Sequence, residues 1–257
     1  MHRLLEQMIV CVNFQGLLED DIKNVVKKTR ELFVNDGFNI QEEYRPTPDQ
    51  KVVKLYTYGK ENTQIILTKD SFEVVVNAIE KYEGFEVYKK YVTRILDNLN
   101  GVAGNMSTIV RIGVRKINMM FLRNVDVINN YFISDVFNVS KTNLALGDNG
   151  GKIITSGSRV SLASDTHKTN IITDIQIGEG KIVSEGKEEH TDLYRTILDI
   201  DAYWDTSLPL YKNVGDELSM LSKRTTEIYH DCLNEEFNVA LMDEKVNDEN
   251  IVGGIKA

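Results

Sequence analysis

Two short stretches place charged side chains at spacings that could do chemistry. In LDIDAYWD, residues 198–205, strand alternation puts Leu198 and Ile200 on one face and Asp199, Asp201, Tyr203 and Asp205 on the other. Carboxylates two residues apart on a strand stand about 7 Å from each other, which suits a divalent ion or an acid/base pair. In RIGVRKIN, residues 111–118, the residues Arg111, Gly113, Arg115 and Ile117 share a face. Two guanidinium groups flanking a glycine, whose backbone a ligand can approach, offer a site for a phosphate, a nucleotide or another small anion. If the two strands are neighbours, a third arrangement follows. Arg111 and Arg115 then meet Asp199 and Asp201 as a partly buried ionic ladder, which specifies register more than it stabilises. The ladder is preferred to catalysis, because carboxylates on a strand face ordinarily pair with nearby cations.

Other chemistries find little support. In GDNGGK, Gly147 lies four residues before Gly151 and Ile153 follows Lys152, whereas a phosphate loop needs G-x-x-x-x-G-K-[ST], so this stretch reads as a turn. His2, His167, His190 and His230 are scattered, with no zinc-type spacing, and G-x-S-x-G is absent; neither a metal nor a cofactor is expected. Cys11 falls in an apolar strand and Cys232 in a helical pattern, which reads as two buried free thiols in a reducing compartment.

The elements that must position these groups follow from periodicity. Met8–Phe14 reads as a buried strand. Ile22, Val25, Val26, Thr29, Leu32 and Phe33 define a helix that opens with Glu19, Asp20 and Asp21 and closes at Asn35-Asp36-Gly37. Ile40–Tyr44 is a short strand, Val52–Tyr58 and Thr63–Thr68 form a hairpin through Gly59, and Phe72–Ile79 adds a strand. A second helix carries Phe85, Tyr88, Val92, Ile95, Leu96 and Leu99 and stops at Asn100-Gly101; the aromatic residues Tyr82, Phe85, Tyr88 and Tyr91 read as a core stripe. Ser107–Phe121 is a long strand. Ser158–Ser164, Asn170–Ile177 and Lys181–Glu185 read as antiparallel strands, the last two joined through Gly178-Glu179-Gly180. Arg195–Tyr203 is a further strand, and Val214–Phe237 reads as the longest helix. The fold class is therefore α+β, an antiparallel sheet covered by long amphipathic helices. Residues 1–122 and 123–239 read as two α+β halves of similar element order that share or extend one sheet, and 240–257 as a flexible acidic tail.

The 257 residues carry 30 Lys+Arg against 39 Asp+Glu, a formal net charge of -9, which argues against non-specific nucleic-acid binding. The N-terminal MHRLLEQMIVCVNF makes a poor signal peptide, and no stretch approaches the ~18 apolar residues of a membrane span, so a cytoplasmic protein without a membrane partner is expected.

With its elements placed, the chain resembles a family of sporadically distributed, uncharacterised bacterial and archaeal proteins. The resemblance rests on Tyr82-Glu83-Gly84-Phe85-Glu86 at a helix start, the strand IVRIGVRKIN, the late LDID strand, and a final helix with His230 and Phe237. The family motif reads R-I-G-L-R-Y-I-N; Val114 and Lys116 replace its Leu and Tyr, so no aromatic role is carried over to position 116. The resemblance implies no activity, only an association with accessory genes of mobile or anti-phage defence loci. The expectation is a non-catalytic protein-interaction or accessory subunit of a bacterial operon, forming a homo-oligomer or binding an operon-encoded partner. A nucleotide or small-anion sensor at Arg111 and Arg115, and a chaperone- or antitoxin-like scaffold, are the alternatives.

Overall fold

Alternation in the first strand, β1 (Leu5–Gln15), divides the molecule into two faces. Met8, Val10, Val12 and Phe14 are buried, whereas Ile9, Cys11 and Asn13 are half-exposed. The computed structural model of the protein describes residues 4–46, 52–78, 81–103, 107–137, 155–164, 166–184, 187–209, 213–243, 246 and 248–253. The expected turns at Pro48 and at 144–151 lie outside the described residues.

After β1 come α1 (Glu19–Asn35), β2 (Asn39–Pro46), β3 (Val52–Lys60), β4 (Thr63–Leu67), β5 (Ser71–Asn77), α2 (Phe85–Ala103) and β6 (Thr108–Leu122). A 3-10 turn at Ile128–Asn130 precedes β7 (Thr155–Ala163), β8 (Lys168–Ser184), β9 (Lys187–Pro209), α3 (Gly215–Cys232), α4 (Glu235–Met242) and β10 (Ile251–Gly253). The strands form one antiparallel sheet in the order β2-β3-β4-β5-β1-β6-β9-β8-β7, and β10 pairs with β6 at Phe121 and Leu122, beyond the end of β1. This is an α+β fold built on antiparallel sheet. No helix among the described residues is long and apolar enough to cross a membrane.

The buried faces of β1, β4, β5 and β6 meet Ile22, Val25 and Phe33 of α1, Tyr88, Val92, Ile95 and Leu99 of α2, and Leu218 and Leu221 of α3 in one apolar cluster. Each such side chain contributes about 1.5–3 kcal/mol when fully buried. Tyr82, Phe85 and Tyr91 pack against the same cluster, so the aromatic stripe belongs to the core. A second cluster joins Met120 and Leu122 of β6, Leu198 and Ile200 of β9, Ile228 and Cys232 of α3, and Phe237 and Leu241 of α4.

Several boundaries differ from the sequence expectation. The β3–β4 turn falls after Gly59, where Glu61 takes a φ of 46°. Helix α2 runs through Gly101 to Ala103, and Lys28 Nζ donates to the Gly101 carbonyl at 3.3 Å. Gly178-Glu179-Gly180 is not a turn but part of β8, which pairs with β9 throughout. The reason is local packing: a Cβ at Gly180 would stand 2.3 Å from Leu193 Cδ1, so the glycine makes room for the facing leucine. The expected helix 214–237 breaks at Leu233-Asn234, where Asn234 accepts from the Glu236 amide at 3.0 Å and caps α4. The longest helix is therefore α2, at 19 residues against 18 for α3. The expected flexible tail is docked in part: β10 joins the sheet, and Asn250 Oδ1 accepts from the Asn124 amide at 2.6 Å.

Lys116 breaks the alternation. It sits on the helix-covered face of β6, only 3% exposed, and donates to the Ser222 carbonyl at 3.0 Å and to Thr226 Oγ1 at 2.6 Å. Burial pushes its ammonium down from 10.5 to about 8. Below pH 8 the lysine is charged in both folded and unfolded chains, and the whole burial cost, about 3 kcal/mol, opposes folding. Between pH 8 and 10.5 only the unfolded chain holds the proton, so this residue's contribution to stability rises with pH. Lys116→Met should therefore be more stable than wild type at pH 7, and urea titrations should show the difference shrinking towards pH 10.5.

Candidate functional site

The two charged strands are neighbours. In the β6–β9 register Arg111 faces Asp205, Gly113 faces Tyr203, Arg115 faces Asp201 and Ile117 faces Asp199. All lie on the face away from the helices, in line with Cys11 and Asn13 of β1 and with Lys168 and Asn170 of β8. The ion pairs run diagonally, within reach of long side chains on adjacent strands. Arg115 Nε and Nη2 donate to the two oxygens of Asp199 at 2.8 and 2.5 Å, and Arg111 Nη2 donates to Asp201 Oδ2 at 3.1 Å. Asp205 turns outward to Lys168, at 2.8 Å.

Burial grades this row. The Asp199 side chain is 7% exposed, whereas Asp205 and Lys168 are both half-exposed at 50%. Burial raises the Asp201 carboxyl above the usual carboxylate range, against the opposing pull of Arg111 and Arg115 and a hydrogen bond from Asn170. The Arg111 guanidinium stacks on the Tyr203 ring, 3.9 Å from its centroid. Gly113 accommodates that tyrosine rather than an open cleft: a Cβ at Gly113 would stand 3.3 Å from Tyr203 Cβ. Both arginines proposed for anion binding are thus engaged by aspartates of the same sheet. An anion entering there would have to displace Asp199 or Asp201.

The bidentate Arg115–Asp199 pair is the strong geometry for these two groups. Chemically the row is balanced, cation against carboxylate, and holds β6 and β9 in one register. Lys168 and Asn170 were not foreseen as members, although K-x-N at the start of a strand places them on one face. Among the described residues no group of three or more His, Cys, Asp or Glu is arranged to hold a metal ion. Burial raises the Cys11 thiol to about 12 and the Cys232 thiol to about 11, so neither supplies a thiolate near neutrality. His190 is exposed on β9, and His230 Nδ1 lies 2.8 Å from Asn238 Oδ1.

No family model matches the chain, and no curated protein matches it. Among solved structures, the crystal structure of the di-domain ARO/CYC StfQ from the steffimycin biosynthetic pathway aligns at 10% identity, covering 91% of this chain and 96% of that one. Its TM-score is 0.16, too low to carry an argument about fold or function.

The graded burial sets the expected costs. Asp199→Asn leaves the Arg115 guanidinium without its counter-charge and should cost about 2 kcal/mol. Asp205→Asn, in an exposed pair, should change stability by no more than about 0.5 kcal/mol. Urea denaturation of the two variants checks this; equal costs would contradict the geometry.

Proposed function

We propose that the protein is a non-catalytic interaction module that self-associates through the outer edge of β7. The observation that carries this reading is the contrast between the two edge strands. At one end of the sheet, β2 presents Glu42, Glu43 and Arg45 and ends in Pro46, features that discourage further pairing. At the other end, β7 reads TSGSRVSLA, with one charged residue in nine. Among the described residues no strand pairs with its outer side. Val160 and Leu162 are 49% and 43% exposed, and Met220 of α3 is 44% exposed. A long, weakly charged edge with exposed Val160 and Leu162 is a template for another strand.

Strand order supports the same conclusion. Outward from the central β1–β6 pair, one side reads β1, β5, β4, β3, β2 and the other β6, β9, β8, β7. Two halves related by a dyad between β1 and β6 account for this order: α2 and α3 close the two meanders, and β7 takes the place of β3. On that reading no strand among the described residues stands at the position equivalent to β2 beside β7, and a second copy supplies its β7, antiparallel to the first. The resemblance to sporadically distributed prokaryotic proteins supports a role for such a module as an accessory subunit of a bacterial operon, with anti-phage defence among the candidates.

Sedimentation velocity and native mass spectrometry test the reading. Wild type should be a dimer, and the double variant Val160→Glu, Leu162→Glu should be a monomer with unchanged circular dichroism. A wild-type protein that is monomeric at every concentration would overturn it, as would a dimer that the double variant leaves intact.

A further inference from the structure

Beside the β7–β8 turn, on the helix-covered side of the sheet, lies a cavity of about 310 Å³. Its apolar lining comes from three places: Leu162 at the end of β7, Ala202 on β9, and Met220 and Leu221 on α3. His167 and Arg224 supply the nitrogen groups. Small-molecule sites share this composition, an apolar wall with a few polar groups, and start at about 300 Å³. Liquid water occupies about 30 Å³ per molecule, so the space suits a ligand of roughly ten non-hydrogen atoms.

Two observations point to an anionic group in it. His167 Nε2 is buried without a hydrogen-bond partner among the described residues, while Nδ1 is held by Thr166 Oγ1 at 2.6 Å. A buried polar atom left unpaired costs about 1–3 kcal/mol, and in the tautomer in which Thr166 donates to Nδ1 and Nε2 carries the proton, a ligand acceptor removes that cost. Arg224, one turn along α3 from Met220, has no ion pair among the described residues, unlike Arg111, Arg115 and Arg123. A single guanidinium and an imidazole lining the same cavity match one carboxylate, which accepts two parallel N–H bonds from an arginine. A phosphate dianion would leave a charge uncompensated against an apolar wall.

We propose that this cavity binds a small monocarboxylate with an apolar tail of about six to eight carbons, a length set by the volume. Arg224 and His167 hold the carboxylate, and Leu162, Ala202, Met220 and Leu221 enclose the tail. The site lies apart from the ionic row on the opposite face of the sheet. Leu162 and Met220 belong to both this cavity and the proposed association surface, but the titration reads ligand binding and not oligomeric state, so the two proposals fail separately.

Calorimetric titration of the full chain with octanoate tests the proposal, with octanamide as the uncharged analogue. Octanoate should bind one per chain, and octanamide about tenfold or more weakly, the loss expected when a charge-assisted bond is replaced by a neutral one. Arg224→Gln, an exposed position, should bring octanoate down to the level of octanamide. Met220→Trp should obstruct the cavity and abolish binding of both. No binding of octanoate to wild type would overturn the proposal. So would equal affinity for the two compounds, or octanoate binding that Arg224→Gln leaves unchanged.

Discussion

The structure depends on the pairing of β6 with β9 in a single register. A strand alternates its side chains with a period of two, so a slip of one residue would carry Arg111 and Arg115 into the helix-covered core and turn Ile112 and Val114 outward. The apolar face alone selects between these registers. The Arg115–Asp199 and Arg111–Asp201 pairs then tie the two strands together on the helix-free face. Lys116 shows the cost of a cation on the wrong face: the Ser222 carbonyl and Thr226 Oγ1 of α3 accept hydrogen bonds from its ammonium group. Because β6 also pairs with β1, this register positions both sides of the sheet.

Much of this was legible in the sequence because the determining signals are local. The acidic first turn of α1, the apolar stripe of α2 and the alternation in RIGVRKIN and LDIDAYWD each report their own element. The meeting of the two motifs was legible as well, since opposite charges at matching spacing on two long strands have one economical arrangement. What was hidden depended on a distant residue. Gly180 reads as a turn until Leu193 is seen against it, and Asn234 ends a helix whose apolar pattern continues into Phe237. The tail from residue 240 looks free until Asn250 meets Asn124. The cavity was invisible for the same reason, because Leu162, Ala202 and Arg224 come together only through the sheet order.

The surface divides into parts of different character. The helix-free face carries charges satisfied by their own neighbours, and even Gly113 is covered by Tyr203. At the β7 end of the sheet lie the outer edge of β7, the exposed Val160, Leu162 and Met220, and the cavity behind them, while Tyr44 and Val52 are exposed at the β2 end. The proposed self-association uses the weakly charged β7 edge, where Arg159 is the one charged residue, rather than the neutralised central row. The proposed function therefore rests on the β7 edge and not on the charged row.

Amide hydrogen exchange at low and high protein concentration tests that claim most directly, because it locates the contact as well as detecting it. The account predicts that the β7 amides pointing away from β8 exchange more slowly as concentration rises, while those of the charged edge strand β2 do not change. Exchange in β7 that is independent of concentration, or slowing confined to another surface, would contradict it.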